Sequence, residues 1–483
     1  MYIGIDLGTS GVKSIVMTAD GEIIASSTVE IELSRPQPLW SEQDPQWWWD
    51  ATCESIQSLR KLVDFGSVKA IGLSGQMHGA TLLNSSGDVL RPAILWNDGR
   101  CAFECEQLEA LVPNSREITG NIMMPGFTAP KVKWVANNEP DIFAKIDKIL
   151  LPKDYLRYKM TGDFASDMSD SAGTGWLDVA TREWSSDMLN ATGLSTQQMP
   201  KLYEGSQITG VLSNLIAEQW GLKAIPVVAG GGDNAAGAIG VGITQPGQAM
   251  LSLGTSGVYF AVSDGFISNP DSALHSFCHA LSSRWHTMSV ILSAASCLQW
   301  VANLTEFDSV GQMIDDVQES ADKQSEVVFL PYLSGERTPH NNPNAKGVFF
   351  GMTHTTTRLE LAQAVLEGVG FAFADGFDAL HVTNHVPEEV SLIGGGARSE
   401  YWRQMLADIV DMPLVYRKAG DVGPALGAAR LAVLGTLEGA TLSDICPVPQ
   451  LVQRHQPNPE MAGLYQRKRQ VYQSLYTNLK GLF

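Results

Sequence analysis

The chain has 483 residues, of which 44% are apolar and 18% charged, and its formal net charge at pH 7 is −19. This length allows two or more domains that each bury a core. The acidic balance argues against a broad nucleic-acid or anionic-membrane surface, although it leaves room for a local basic phosphate pocket. No apolar run reaches the roughly 20 residues of a membrane span, and the N-terminus predicts a strand rather than a signal peptide.

Six cysteines are spread along the chain, which is typical of reduced thiols in a cytosolic protein. Cys101 and Cys105 are one helical turn apart, but no second pair has the spacing of a zinc site. The sequence therefore predicts a cytoplasmic location and no zinc ion at this pair.

The first 33 residues contain three predicted strands, YIGID, KSIVMT and EIIASSTVEIEL, separated by short polar turns. Asp44 and Pro45 predict the N-cap and first turn of a helix. The tryptophans at 47–49 cannot all face one side of that helix, so we expect some of them at a core, domain or subunit interface. KAIGLSG, from Lys69, and IPVVAGGGDNAAGAIG, from Ile225, each predict a strand that ends in a small-residue turn.

The second half of the chain repeats the plan of the first. The six residues LGTSGV occur at 7–12 and again at 253–258, and each copy joins two predicted strands. SLIGGGARSEYWRQMLADI, from Ser391, adds another strand, glycine turn and helix. These observations predict an internal duplication of a large α/β unit, with domains at 1–245 and 246–483.

The LGTSGV loop offers backbone N–H groups and hydroxyls to an anion without bulky side chains. Two such loops, one from each lobe, predict a site that grips a polyphosphate from both sides, whereas a single copy would suggest an ordinary hairpin. The loop is not a Walker A sequence, because Val12 separates Gly11 from Lys13. GGGAR at 394–398 lacks the glycine spacing of a dinucleotide fingerprint.

A carboxylate precedes only one of the two loops, because Asp6 stands before the first copy and Ser252 before the second. The arrangement resembles the duplicated actin-like ATPase fold (ribonuclease H-like), an α/β fold of two lobes with a cleft between them. In that fold an aspartate of the first hairpin holds magnesium, usually through water. Mg²⁺ favours carboxylate, water and phosphate oxygens. The resemblance therefore implies ATP and Mg²⁺ as cofactors, with Asp6 at the metal.

Further motifs follow in order along the chain: SGQMHG, LWNDGR, GFTAPKVKWVANN, LPKDYLRYKMTG, SDMSDSAGTGWLD, GGGDNAAG and FLPYLSGERTPHNNPNAKGVFFG. Together they closely resemble the FGGY carbohydrate kinase family over nearly the whole chain. The resemblance implies an ATP-dependent sugar kinase. Its first lobe would bind mainly the sugar and its second mainly the nucleotide, and lobe closure on the sugar would exclude water.

Two differences from glycerol kinases narrow the range of expected sugar substrates. Met77 and His78 stand where glycerol kinases have Arg-Glu, and Gly126 stands where they have tyrosine, which argues against glycerol. The chain is similar instead to members that phosphorylate O5 of D-xylulose, with L-ribulose and L-fuculose as alternatives. The resemblance implies Asp233 as the general base. The expected substrate contacts are Met77, His78, Trp96, Asp98, Asp233 and Asn234.

The resemblance also implies the nucleotide contacts. From the first lobe the phosphates would meet Gly8, Thr9, Ser10 and Lys13. From the second lobe the phosphates would meet Gly254 and Thr255, and the adenosine would meet Gly396 and Ala397. Structural alternatives stay open, namely a strand-to-helix turn at Gly396, a helix N-cap at Asp233 and core packing at Trp96.

Some residues lie outside this scheme. His275, His279 and His286 have no acidic partner at a matching spacing, so we expect no metal there. Arg337 in GERTP is predicted to stabilise a loop, with phosphate contact as the alternative. A chaperone-like or filament-forming ATPase and an inactive sugar-binding regulator are the rival classes. The tryptophan-rich segment and the resemblance suggest a homodimer.

Overall fold

The computed structural model describes residues 1–320, 326–418 and 423–483. Two seven-stranded mixed sheets form two lobes, one built from strands before residue 245 and the other from strands after it. Helices pack on both sheets, so the architecture is the two-lobed α/β fold that the sequence predicts. Within the described part of the chain, no helix is both long and apolar enough to cross a membrane.

The first lobe inserts short strands and helices between the strands of its main sheet. Its strands are β1 (Tyr2–Leu7), β2 (Gly11–Met17), β3 (Ile23–Glu30), β4 (Glu42–Gln43), β5 (Ala70–Gly75), β6 (Thr81–Leu83), β7 (Ala93–Ile94), β8 (Lys148–Leu150), β9 (Ala165–Asp167), β10 (Leu177–Asp178), β11 (Glu183–Trp184), β12 (Lys201–Tyr203), β13 (Ile208–Val211), β14 (Pro226–Val228) and β15 (Gly231–Gly232). Its helices are α1 (Pro45–Arg60), α2 (Ala102–Leu111), α3 (Ser115–Thr119), α4 (Thr128–Asn138), α5 (Pro140–Phe143), α6 (Pro152–Thr161), α7 (Met168–Ser171), α8 (Ser186–Thr192), α9 (Asn214–Trp220) and α10 (Asp233–Gly240).

The second lobe has fewer insertions and longer helices. Its strands are β16 (Ala249–Leu253), β17 (Gly257–Ser263), β18 (His275–Cys278), β19 (Trp285–Ile291), β20 (Val328–Leu330), β21 (Val348–Phe350), β22 (Val390–Ile393), β23 (Leu414–Arg417) and β24 (Leu451–His455). Its helices are α11 (Ala295–Leu304), α12 (Val310–Glu319), α13 (Arg358–His381), α14 (Glu400–Val410), α15 (Gly423–Thr436), α16 (Leu442–Ile445) and α17 (Pro459–Leu479).

The two main sheets share one topology. The first has the strand order β3-β2-β1-β5-β14-β13, and the second has β19-β17-β16-β22-β23-β24, with β18 outside β19. In the first sheet β3, β2 and β1 pair antiparallel, β5 and β14 run parallel to β1, and β13 pairs antiparallel with β14. In the second sheet β19, β17 and β16 pair antiparallel, β22 and β23 run parallel to β16, and β24 pairs antiparallel with β23. The duplication predicted from the repeated LGTSGV loop is therefore confirmed, and each copy connects the first two strands of its sheet.

Helix α1 begins as its sequence predicts. The side chain of Asp44 accepts a hydrogen bond from the backbone of Gln46, and Pro45 occupies the first turn. Trp48 and Trp49 are buried in the core of the first lobe, where Trp49 stacks on Trp220, whereas Trp47 remains 38% exposed. The tryptophan segment therefore serves mainly core packing.

A helix from the second half of the chain packs against the sheet of the first lobe. Helix α15 lies on β1 and β5, and a side chain on Gly4 would overlap the carbonyl oxygen of Ala425. Gly72 meets the carbonyl oxygen of Ala428 in the same way. Helix α10 of the first lobe packs against α15 at Gly427. The contact between these two helices therefore connects the two halves of the chain on one face of the first sheet.

The lobes also meet at the hairpin of β18 and β19. Asn121 of the first lobe donates to the backbone carbonyl of Ser276 at 2.9 Å, and its own oxygen accepts from the backbone of Ser276. The indole of Trp285 donates to the carbonyl of Val179 at 2.7 Å. These contacts bring the aromatic side chains of β18 against the lobe that contains His78.

Candidate active site

Asp6 and Asp233 lie at the same end of the first sheet, on either side of β5. Asp6 is paired with Ser74 in the parallel register of β1 and β5, and Gly231 is paired with the same serine on the other side. Asp233 follows two residues later as the first residue of α10. The two carboxylates therefore face one cleft, and the negative charge of Asp233 contributes to raising the pKa of Asp6.

Asp6 has the features of a cation ligand. Its Oδ1 atom is buried without a hydrogen-bond partner, and burial, followed by the charge of Asp233, raises the pKa of Asp6 to about 7. Ser74 and Lys13, which lies opposite Asp6 in the hairpin, lower that pKa in part. A buried carboxylate oxygen left unbonded in this way fits a hard cation such as Mg²⁺.

Asp233 is oriented by its neighbour and by its helix. Its Oδ1 atom accepts hydrogen bonds from the backbone N–H and the side-chain amide of Asn234, at 2.7 and 3.0 Å. Burial raises the pKa of Asp233 to about 6, although these two hydrogen bonds oppose the rise. The carboxylate is thus ionised at neutral pH and has a pKa close to the value that suits a general base.

A buried ion cluster lies beneath the loop that leads to Asp233. The ammonium group of Lys153 contacts Asp154, Asp167 and Asp170 at 2.7, 2.8 and 2.9 Å, and all four side chains are inaccessible to solvent. Burial raises the pKa of Asp170 well above its ordinary value. Ser169 donates to Asp167 and accepts from the backbone N–H of Gly232, so this Lys153 cluster is linked to the loop.

Within the predicted sugar pocket, His78 has a fixed orientation. Its Nδ1 atom lies 2.6 Å from the carbonyl oxygen of Gly173, and a carbonyl can only accept, so Nδ1 carries the proton. Burial, followed by the charge of Lys131, lowers the pKa of His78 to about 3, so the ring is neutral. Its Nε2 atom is therefore a hydrogen-bond acceptor suited to a sugar hydroxyl.

The backbone of His78 is held in an unusual conformation. Its φ angle is +70°, which costs free energy for a residue other than glycine. The carbonyl oxygen of His78 accepts from Lys131 at 3.0 Å and from Thr128 at 3.1 Å, and Lys131 also donates to Gly126. Lys131 is fully buried, so the FGGY-like segment around it serves to hold the pocket in shape.

The other expected sugar contacts differ in their burial and in their hydrogen bonds. Met77 is buried, and its side chain lies beside Gly173 and Gly232, close to His78 and to the loop before Asp233. Trp96 is 40% exposed, and its indole donates to the hydroxyl of Thr9 at 2.8 Å, which links the loop of Trp96 to the first LGTSGV hairpin. Asn234 acts on Asp233 directly, as described above.

Asp98, another expected sugar contact, already has four hydrogen bonds within the protein. Its Oδ1 accepts from the backbone and Nε of Arg100, and its Oδ2 accepts from Nη2 of Arg100 and the backbone of Ser41. These four bonds use the acceptor capacity of the carboxylate, and the side chain is buried. The side chain therefore holds its loop in place, but Asp98 also lines the cavity between the lobes, and its contact with the sugar stays a prediction.

The two LGTSGV turns are tight and lie at the cleft ends of their hairpins. In the first, the backbone of Gly8 donates to the carbonyl of Gly11 at 2.9 Å, and Ser10 is exposed. The Thr9 hydroxyl already bonds Gln76 and Trp96, so its backbone N–H is the group left to meet a phosphate. Lys13 lies on β2, opposite Asp6.

In the second lobe a cavity of about 900 Å³ brings together Gly254, Thr255 and Gly396, as expected for a nucleotide site. A side chain on Gly396 would press on Trp402 and Leu253, so only glycine fits there without displacement. Ala397 is fully buried beneath this wall, which differs from the predicted adenosine contact. The cavity also contains side chains that no motif indicated, namely Gln299, Asp315, Arg398 and Tyr401.

Comparison with known proteins identifies the family of this chain. The FGGY family of carbohydrate kinases matches through its N-terminal domain at residues 1–240 and its C-terminal domain at residues 249–436. The chain is 62% identical over 479 residues to the xylulose kinase of Escherichia coli (strain K12), covering 99% of each chain. It is 58% identical over 482 residues to the xylulose kinase of Klebsiella pneumoniae, covering 100% of each.

A solved structure described as a xyloylose kinase from Brucella ovis superposes with a TM-score of 0.95, at 47% identity and with 100% of both chains covered. Together with the two-lobed fold, these matches define a carbohydrate kinase, a phosphotransferase that uses ATP. This chain belongs to the FGGY family of carbohydrate kinases.

Proposed function

We propose that this protein transfers the γ-phosphoryl group of Mg-ATP to O5 of D-xylulose, which yields D-xylulose 5-phosphate and ADP. The observation that carries the proposal is the juxtaposition of Asp6 and Asp233 around the end of β5. The identity of 62% with a xylulose kinase over nearly the whole chain supports D-xylulose as the sugar.

Asp233 is the proposed general base. Its carboxylate accepts the proton of the terminal hydroxyl as the hydroxyl oxygen attacks the γ-phosphorus and ADP leaves. Asn234 holds Oδ1, which leaves Oδ2 to face the hydroxyl. Base catalysis of this kind contributes roughly 10²–10⁴-fold, and the rest of phosphoryl transfer depends on positioning and charge neutralisation.

His78 and Met77 provide the proposed sugar pocket. The neutral Nε2 of His78 accepts a hydrogen bond from a sugar hydroxyl, and the buried Met77 side chain contacts the carbon skeleton. Because the ring is locked by Gly173, the pocket selects the hydroxyl that points along Nε2. The strained backbone of His78 is consistent with a residue retained for binding.

Asp6 is the proposed ligand of Mg²⁺, through water. The metal, when bound with ATP, neutralises charge on the phosphates. The backbone N–H groups at Gly8, Thr9 and Ser10 and the Lys13 side chain hold the phosphates from one lobe. Those at Gly254 and Thr255 hold them from the other, and Gly396 lies beside the adenosine.

The direct test measures ADP release with Mg-ATP alone and with D-xylulose, L-ribulose, L-fuculose or glycerol. We expect D-xylulose to stimulate ADP release far more than the others. Preference for another ketose would keep the kinase chemistry and reject the sugar assignment. A high rate of ADP release that no sugar changes would indicate an ATPase.

A second test concerns the metal. Substitution Asp6→Ala should raise the Mg²⁺ concentration required for activity, and an unchanged requirement would reject the role of Asp6 as a metal ligand.

We infer a cytoplasmic location from the cysteines. All six thiols are free and buried, which suits a reducing compartment. The homodimer suggested by the tryptophan-rich segment stays a prediction, since Trp47 is the one of its three indoles that is substantially exposed. Sedimentation velocity at several concentrations would test it.

A further inference from the structure

We propose that Arg337 and Glu336 of the second lobe recognise the open-chain keto end of the sugar, with Arg337 donating hydrogen bonds to the C2 carbonyl oxygen. The proposal rests on the proposed function and concerns the end of the sugar opposite to the transferred phosphoryl group. It makes the GERTP loop, which the sequence predicts to be structural, a determinant of ketose specificity.

The first step is chemical. A 2-ketopentose closes its five-membered ring by attack of O5 on C2, so the ring forms have no free O5 hydroxyl. A kinase that phosphorylates O5 must therefore bind the open chain, whose C2 carbonyl is a pure hydrogen-bond acceptor. The proposed first-lobe contacts are His78 Nε2 and Asp233, which are acceptors themselves. The carbonyl therefore needs a donor besides these two groups.

Three first-lobe donor groups near this pocket already take part in other hydrogen bonds. The indole N–H of Trp96 is bonded to Thr9, and the amide of Asn234 is bonded to Asp233. The ammonium group of Lys131 is bonded to the carbonyls of His78 and Gly126. The indole has no second N–H group, and the bonds of Asn234 and Lys131 fix the directions in which their remaining N–H groups can point.

Arg337 approaches this region from the other lobe, close enough for its charge to contribute to lowering the pKa of His78. It lines a cavity of about 530 Å³ between the lobes, together with Glu336, Trp96 and Gly126. Its Nη1 atom lies 3.4 Å from Nε2 of His275, and no carboxylate of the described residues lies within ion-pair distance of its guanidinium. An arginine that lacks a carboxylate partner at a cleft retains N–H groups for a ligand.

The position of the guanidinium is fixed through His275. Nδ1 of His275 lies 3.2 Å from the amide oxygen of Asn121 in the first lobe, so Nδ1–H donates there and Nε2 accepts from Arg337. The rings of Phe127 and Phe277 pack between His275 and His78. Arg337 is therefore held beside the sugar pocket, with an aromatic pair setting its separation from His78.

Glu336 supports this placement and adds a second polar group. Its Oε1 atom accepts from the backbone N–H groups of Arg337 and Leu292, at 2.7 and 3.2 Å. Glu336 is only 2% exposed, and its Oε2 is buried without a hydrogen-bond partner at the edge of the cavity. Burial raises the pKa of Glu336 to about 8, so near neutral pH Oε2 can donate or accept. It suits the C1 hydroxyl next to the ketone.

The test compares a ketose with its reduced forms. In xylitol and D-arabinitol, C2 carries a hydroxyl in place of the carbonyl. The measurements are KM for D-xylulose and inhibition constants for the two alditols, in the wild-type protein, Arg337→Ala and Arg337→Lys. We expect Arg337→Ala to raise KM for D-xylulose roughly 10- to 100-fold, the size of a lost charged hydrogen bond, and to raise the alditol constants less than threefold.

Arg116→Ala is the matched control. Arg116 lines the same cavity but is paired with Glu109, so its removal should leave the ratio of ketose to alditol affinity unchanged. Equal losses for ketose and alditols in Arg337→Ala would reject carbonyl recognition, and so would a rise confined to KM for ATP. Because each ratio is internal to one variant, a partly unfolded preparation cannot imitate the expected result.

A second substrate separates the roles of the two residues. 1-Deoxy-D-xylulose keeps the C2 carbonyl and lacks the C1 hydroxyl. We expect Glu336→Gln to lose affinity for D-xylulose but little for the 1-deoxy sugar, while Arg337→Ala loses affinity for both. The opposite pattern would overturn the assignment. Failure of D-xylulose to stimulate the wild-type protein would instead reject the proposed function.

Discussion

The hydroxyl of Ser169 accepts a 3.1 Å hydrogen bond from the backbone N–H of Gly232, the residue directly before Asp233. The same hydroxyl donates to Asp167, which contacts Lys153 at 2.8 Å. A chain of buried polar contacts thus runs from the Lys153 cluster to the loop that presents the proposed base. Because Lys153 has three carboxylate partners, we expect the cluster to restrict movement of that loop.

Substitution Ser169→Ala removes this support without touching the cleft. We expect kcat to fall about tenfold while KM for D-xylulose changes little, because small displacements of a base cost rate rather than affinity. The acid limb of the pH profile of kcat should also move to lower pH, since a looser Asp233 becomes better hydrated. Ser171→Ala, whose hydroxyl bonds Ser166 instead, is the control. Equal effects of the two substitutions would contradict the positioning role.

Asp233→Asn tests the base itself. The amide keeps the size of the side chain but cannot accept a proton, so kcat should fall roughly 10²–10⁴-fold. Calorimetric titration should still detect binding of D-xylulose and of Mg-ATP with affinities within a few-fold of the wild-type protein. Near-normal turnover would remove Asp233 from the mechanism.

The raised pKa of Asp6 predicts a pH-dependent cost to stability. Its pKa rises to about 7 in the folded protein, against an ordinary value of 3.8, so folding disfavours the ionised form. The cost is absent below pH 4, grows as the pH rises and is complete above pH 7. In Mg²⁺-free buffer, Asp6→Asn should therefore raise Tm at pH 8, by about 2–8 °C, and leave it unchanged near pH 4. A gain that is the same at both pH values would show that the charge is not the cause.

Substitution Asp98→Asn tests whether Asp98 holds its loop in place or binds the sugar. The neutral amide weakens the bonds to Arg100, and each charged hydrogen bond lost costs about 1.5–3 kcal/mol. Since 1 kcal/mol corresponds to roughly 2–4 °C in a domain of this size, Tm should fall by several degrees. KM for D-xylulose should stay within about threefold. A large rise in KM for D-xylulose at unchanged Tm would show that Asp98 binds the sugar.

Local features of the fold could be predicted from the sequence because short-range chemistry determines them. The Asp44 cap, the two hairpins and the glycine turn before Asp233 each depend on a few consecutive residues. The half-chain spacing of LGTSGV was enough to predict the duplicated sheet. Asp6 and Asp233 could be assigned to the active site through the resemblance to FGGY kinases, and the structure places both at the ends of strands in the same sheet.

Contacts between distant residues could not be predicted in this way. The proton on Nδ1 of His78 is fixed by Gly173, 95 residues away, and the indole of Trp96 is bonded to Thr9 across 87 residues. Neither pair has a spacing that sequence alone would single out. The role of Asp98 depends on whether its lone pairs are already used, which only three-dimensional packing determines.

The contact of helix α15 with Gly4 and Gly72 bears on how the chain can be divided. A fragment that ends at residue 245 would leave the back of β1 and β5 bare, with two glycines where a helix backbone belongs. The fragment from 246 onward would carry that helix with nothing to cover it. We therefore expect neither half to fold alone, whereas the two halves produced together should reassemble into an active pair, even though the chain is a tandem duplication.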